Sequence, residues 1–388
     1  MSKNVWVLTI AQALMMSVST IIVFAGGLIG AELAPSEKFA TLPTASIVIG
    51  TALTIVPVTL LMKKWGRKRV FLSINLLSIA LCFLAFYAIS IGNFYLFCFS
   101  AFLFGITVAC VLQFRFAAME SVPIAQIPKA ASTVLLGGIA SAFIGPEIAV
   151  QGKYLFEAAF AGSFLFLAVM FLIAFFVLMM FENSEITLEK ADSNSRSLKI
   201  ISKQSVFWVA ILSAAIGYAV MSFIMTATPV SMHVIDGHSL HNTKWVIQSH
   251  ILAMFVPSLF AAFIINRFGI TKMMLAGLTA YLICIAIAFL GHELINYWVS
   301  LILLGIGWNF LFIGGTTLLP QSYHTAERFK VQAMNEFIVF GIQAIAALSS
   351  GWVVFTFGWE SVLLFTLPII IFLIMVILRW VLKKQSQV

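Results

Sequence analysis

The chain has 388 residues, of which 62% are hydrophobic and 9% charged, with a formal net charge of +8 and a mean hydropathy of +1.09. Water-soluble domains carry about 25% charged residues, so these figures exclude an ordinary soluble enzyme and point to a chain solvated mostly by lipid. The positive excess could suggest a nucleic-acid partner, but polytopic membrane proteins gather Lys and Arg in their cytoplasmic connections, and none is expected here.

Apolar runs able to cross a bilayer, about 20 residues each, occur at 5–31, 41–62, 70–91, 94–119, 130–151 and 155–181. A second set occurs at 206–232, 244–266, 270–291, 295–320, 331–357 and 360–382. Between them lies the polar stretch FENSEITLEKADSNSRSLKIISKQS. The pattern predicts an all-α integral membrane protein of twelve transmembrane helices. Its amino-terminal six-helix half is 1–181, its cytoplasmic linker 182–205 and its carboxy-terminal half 206–388.

The first run, which carries Met15 and Met16, is too long for a cleaved signal peptide. Cys82, Cys98, Cys110 and Cys284 sit inside apolar runs without a C-x-x-C pair and read as packing residues. Between spans two and three comes MKKWGRKRV, with Gly66 and Arg67; INRFGITKM, with Gly269, occupies the equivalent place in the second half. LFGITVAC in span four is likewise echoed by LLGIGWNF in span ten, so the halves repeat. Parallel repeats with cargo bound between them are a transporter plan. Span four ends with Arg115 in FRFAAMESVP, and span five carries Gly145, Pro146 and Glu147 in GGIASAFIGPE. Asn335 and Glu336 open span eleven. No Walker A loop and no nucleophile–base pair is visible, so neither ATP coupling nor catalysis is expected.

Charge sets the orientation. One set of alternate connections holds Lys63, Lys64, Arg67, Lys68, Arg69 and Lys129, then Lys190, Arg196, Lys199 and Lys203, then Arg267, Lys272, Arg328 and Lys330. The other set holds Lys38, Lys153 and Lys244. The positive-inside rule then puts both termini in the cytoplasm.

Span seven, its connection and span eight gather four of the six histidines. Met221 and Met225 are four apart on span seven, and His250 and Met254 four apart on span eight. Residues at that spacing share a helix face. At 1.5 Å per residue, Met225 and His250 lie about 10 Å and about 9 Å below the outer ends, with Met221 and Met254 one turn deeper. Should the faces meet, two rungs of soft, neutral donors result, a set that selects Cu(I). Met232, His233, His238 and His241 are placed at the outer mouth, as metal collectors. An organic cargo would instead use aromatics such as Trp308 and Phe310 in span ten.

KKWGRKR resembles the Gly-x-x-x-Asp-Arg-x-Gly-Arg-Arg loop of the major facilitator superfamily, with Gly66, Arg67 and Lys68 matching its distal part. Lys63 stands where the family has Asp and Thr59 where it has the first Gly, so the usual acidic contact is missing. Gly145 and Pro146 resemble the family's Gly-Pro motif, and Arg115 its fourth-helix Arg, which implies gating or coupling. A proton-coupling role is the functional reading of Glu147.

QFRFAAMESVP, MSFIMTATPVSM, VIQSHILAMFVPSLF and QAMNEFIVFG more closely resemble the CcoA-like (CalT) bacterial copper importers. The hallmark of that group is Met-x-x-x-Met in helix seven and His-x-x-x-Met in helix eight, here Met221, Met225, His250 and Met254. The resemblance implies copper uptake into the cytoplasm, in supply of cytochrome oxidase assembly; the chain is expected to be an inner-membrane monomer with no tightly bound cofactor and a cytoplasmic copper acceptor as partner. The alternative cargo is a small organic molecule, riboflavin or a drug.

Overall fold

The computed structural model describes residues 2–123, 126–183, 196–324 and 327–385. Part of the linker, including Lys190, lies outside the described residues. The described residues form helices and connections, with no strand among them. Eleven helical stretches among them are long and apolar enough to span a membrane.

The first span is Lys3–Met15 (α1) followed by Ser17–Leu33 (α2); then come Leu42–Trp65 (α3) and Arg67–Ser90 (α4). The fourth span divides at Gln113 into Phe94–Leu112 (α5) and Phe114–Glu120 (α6). Ile127–Gly152 (α7) and Ala161–Met179 (α8) complete the first six. After the short Leu198–Ile201 (α9), Ser205–Pro229 (α10) runs on into a π-helical turn, Val230–Ile235.

The expected eighth span departs from prediction. Leu240–Phe255 (α11) gives way to a 3-10 turn at Val256–Leu259 and resumes as Ala261–Phe268 (α12). Pro257 lacks an N–H and its ring crowds the carbonyl of Ala253, so the α ladder is weakened where the 3-10 turn replaces it. The Asn309 amide donates to the carbonyl of Met254 at 2.7 Å, which satisfies a backbone group next to the break. Ile270–Phe289 (α13), Leu294–Leu318 (α14), Arg328–Phe357 (α15), Trp359–Leu364 (α16) and Leu367–Gln385 (α17) follow.

The chain forms two compact units. The first is Met1–Thr187 together with Pro229–Ile251, and the second is Leu188–Thr228 together with Leu252–Val388. The division expected from sequence placed 229–251 with the carboxy-terminal half; by contact it belongs to the first unit.

In that first unit α3 meets α5 where Gly50 and Gly105 bring the backbones so close that a Cβ on either would overlap the other helix. Lipid gives helices no hydrophobic reason to associate, so small residues that admit close van der Waals contact take over that role. Gly145 performs the same service between α7 and α2, where its Cβ would run into Thr20, and the Thr20 hydroxyl donates to the Ser141 carbonyl at 2.9 Å. The Gly-Pro motif is thus a helix contact as well as a site where the ladder loses a donor. The segment 229–251 is fastened by Val230 against Gly27, by Lys244 Nζ to Glu147 at 2.6 Å, and by the Gln248 amide to the Phe143 carbonyl.

In the second unit α13 and α14 approach through Gly277 and Gly307, and the Tyr281 hydroxyl donates to the Gly217 carbonyl at 2.7 Å, which joins α13 to α10. Ser350 donates to the Phe223 carbonyl at 2.7 Å and joins α15 to α10.

The sequence repeat has a conformational counterpart. Gly66 has φ 82° and ψ 153°, and Gly269 has φ 85° and ψ 154°. This region is open essentially to glycine alone, so the two equivalent loops turn by the same backbone device.

Near the end of the linker, Arg196 forks onto Glu327, with Nε and Nη2 at 2.8 and 2.7 Å, while Lys330 reaches the Arg196 carbonyl. The Arg196 guanidinium, helped by the N–H groups of His324 and Arg196, holds the Glu327 carboxyl well below the usual carboxylate range. A carboxylate depressed in the folded state contributes stability above its unfolded pKa, and that contribution is lost as pH falls through the folded value. The stability that Glu327 supplies is therefore expected to be complete at neutral pH and to decline below about pH 4. Glu327→Gln should melt lower than the parent at neutral pH and show a shallower acid decline, read by thermal melting in detergent across that range.

Candidate functional site

The second unit carries an aromatic group halfway along its helices. Tyr218 on α10 stands edge-on to Trp308 and Phe312 of α14, with centroids 5.0 and 5.4 Å away, and 5.8 Å from Phe340 of α15. Trp308 and Phe312, one turn apart, stack at 5.1 Å with 9° between their planes. The indole is 4% exposed, whereas Tyr218, Phe312 and Phe340 are half-buried, so the group offers a partly open aromatic face. Edge-to-face pairs of this kind satisfy the ring quadrupoles and fix the ring orientations.

One turn further along the same two helices lies a polar rung. Ser222 follows Tyr218 by four residues and Gln343 follows Phe340 by three, and the Gln343 amide donates to Ser222 Oγ at 2.9 Å. Gln343 Oε1 and Trp308 Nε1 are buried and have no hydrogen-bond partner among the described residues. A polar group at membrane depth costs free energy when unsatisfied.

The residues singled out for metal lie on α10, on α11 and in the connection between them. Met221 and Met225 lie on α10 in the second unit, 2% and 7% exposed, and Met254 is half-buried in the same unit. His250 is fully buried on α11, one turn before Met254 on the same helix. Met232, expected at the outer mouth, is fully buried within the π-helical turn. The ring of His233 lies 2.7 Å from the His238 carbonyl, a contact that closes the loop without bringing two ring nitrogens together. His241 is exposed. Among the described residues no group of three or more His, Cys, Asp and Glu is arranged to hold a metal.

Of the two aromatics expected for an organic cargo, Trp308 stands in the cluster. Phe310 turns towards α13, with its Cβ against Gly277. Phe312 takes the place beside Trp308.

Glu147 is paired with Lys244 and accepts from Gln151 at 3.0 Å. Arg115 is half-buried, with its guanidinium 5.1 Å above the Phe116 ring. The loop's Arg67 does meet an acid, supplied by another helix. Arg67 forks onto Glu120 at the end of α6, with Nε and Nη2 at 2.8 and 2.6 Å, and so links α4 to the fourth span. Such a bidentate pair fixes geometry as well as adding attraction.

A helical membrane protein of two units with a partly open aromatic face at mid-helix has the makings of a secondary transporter. The Major Facilitator Superfamily profile matches residues 8–243 and 232–388, and the chain belongs to that family. It is 35% identical over 384 residues to the riboflavin transporter RfnT of Brucella anthropi, covering 97% of this chain and 96% of that protein. It is also 28% identical over 349 residues to the uncharacterized MFS-type transporter YddS of Bacillus subtilis, covering 85% of this chain and 79% of that one. Among solved structures, a variant of the nucleoside transporter NupG superposes with a TM-score of 0.76 at 15% identity, covering 97% of this chain and 99% of that chain. The human organic anion transporter MFSD10 (TETRAN) gives a TM-score of 0.71 at 12% identity, with the same coverage. These structures share the fold.

Proposed function

We propose that this chain imports riboflavin, or a closely related flavin, across a bacterial inner membrane by alternating access. The observation that carries the reading is the partly open cluster of Tyr218, Trp308, Phe312 and Phe340 at the middle of its helices. A flat tricyclic isoalloxazine gains from stacking on such rings, and cargo sites of this architecture lie near the bilayer midplane. The relative RfnT, matched along nearly the whole chain, bears the name of a riboflavin transporter. Copper, the cargo implied by the CcoA-like resemblance, finds no support in the family match or in these relatives. Both termini are assigned to the cytoplasm, since the connections on that side carry most of the Lys and Arg.

The test is accumulation in a riboflavin-requiring bacterium that lacks its own importer. Cells expressing the chain should concentrate labelled riboflavin and grow on low external riboflavin, with no gain in cell copper. Copper accumulation without flavin uptake, by protein confirmed in the membrane, would overturn the assignment and return the cargo to Met221, Met225, His250 and Met254.

A further inference from the structure

The pyrimidine edge of an isoalloxazine presents an imide N–H between two carbonyl oxygens, an acceptor-donor-acceptor row. A primary amide is its natural complement, because one carboxamide offers an acceptor oxygen beside a donor N–H. Gln343 is such an amide at mid-helix depth, one turn beyond the ring of Phe340. Its Oε1 has no partner among the described residues, while its nitrogen is held by Ser222. A serine hydroxyl both donates and accepts, so Ser222 holds the amide in either orientation and leaves the other atom without a partner. Trp308 Nε1 adds an unpartnered donor beside the aromatic group.

We propose that Gln343, held by Ser222, reads the imide edge of the cargo through two hydrogen bonds, and that this selects flavins with a free imide N–H. The proposal rests on the flavin reading above and goes beyond it by naming the residue that discriminates and the atom it reads. In this arrangement the ring system lies over Tyr218, Phe312 and Phe340. Oε1 accepts the imide hydrogen, and the amide nitrogen, which carries two hydrogens, donates to a ring carbonyl while keeping Ser222. An orphaned buried acceptor is thereby satisfied only when the correct cargo is bound. Sites built to hydrogen-bond a substrate group reject analogues that lack it far more strongly than apolar pockets reject a change of size.

The experiment compares uptake of riboflavin and N3-methylriboflavin, whose methyl group replaces the imide hydrogen, by the parent, Gln343→Leu and Ser222→Ala, each normalised to protein in the membrane. The parent should favour riboflavin by about tenfold or more. Gln343→Leu should take up the two flavins nearly equally, at the parent's rate for the methylated one, and Ser222→Ala should retain an intermediate preference. Uptake of the methylated flavin by Gln343→Leu shows that the variant is folded; if that variant fails to insert, Ser222→Ala carries the same comparison. A parent that transports both flavins alike, or a variant that keeps the full preference, overturns the role of Gln343 and leaves riboflavin as cargo. A parent that transports neither flavin overturns both.

Discussion

Tyr218→Ala is expected to lower the efficiency of riboflavin uptake by about tenfold to about a hundredfold, mainly through a higher KM. Tyr218 is the only ring of the cluster that contacts each of the other three, Trp308, Phe312 and Phe340, among the described ring pairs. Each such pair is worth about 0.5–1.5 kcal/mol beyond burial, and an aromatic platform under a heterocyclic base contributes about 1–3 kcal/mol. These terms overlap, so about 2 kcal/mol is a reasonable net loss, and every 1.4 kcal/mol is tenfold. Tyr218→Phe keeps all the ring contacts and should recover to within about threefold of the parent. Uptake kinetics in whole cells, with membrane expression checked for each variant, separate the two. Full activity of Tyr218→Ala would remove the aromatic face as the cargo platform.

The overall class was legible in the sequence because lipid imposes it: long apolar runs, alternating charge and a six-plus-six repeat admit few other folds. Even the equivalence of Gly66 and Gly269 was visible, since only glycine accepts the backbone conformation that both loops require. The break at Val256–Leu259 had a written signal in Pro257 that the hydropathy of the surrounding run obscures. The site was harder to read. Tyr218 and Ser222, Trp308 and Phe312, and Phe340 and Gln343 each show same-face spacing, but spacing within a helix does not say which helices meet. Histidine and methionine attracted notice because they are chemically distinctive. Phenylalanine and tyrosine did not, in a chain where aromatics make up 14% of residues. Glu120 escaped for a related reason: its contact with Arg67 is made in space between residues 53 apart in sequence.

The segment 229–251 provides the other large expected effect. It belongs to the first unit by contact, yet the helical residues before Pro229 and after Ile251 belong to the second. Pro229 removes an N–H that would have bonded the Met225 carbonyl, and the π-helical turn begins directly after it. The Lys244–Glu147 pair is the ion pair among the attachments of this segment described above. The Lys244 side chain is 10% exposed and that of Glu147 49%. Removing one member of a fully buried pair costs about 3–5 kcal/mol; with one partner half in solvent, about 1–2 kcal/mol is the appropriate scale. Glu147→Gln should therefore raise the population in which this segment is detached by about fivefold to about thirtyfold. Val230 is fully buried against Gly27, so a Val230→Cys reporter reads that population through labelling by a water-soluble maleimide. The native cysteines are all buried and give a low background. Labelling should rise in Glu147→Gln and rise less in Glu147→Gln with Lys244→Gln, where no unpaired ammonium remains. It should return towards the parent in the charge-exchanged Glu147→Lys with Lys244→Glu. Equal labelling in all four proteins would mean that apolar contacts alone hold the segment and that the ion pair contributes nothing to its attachment.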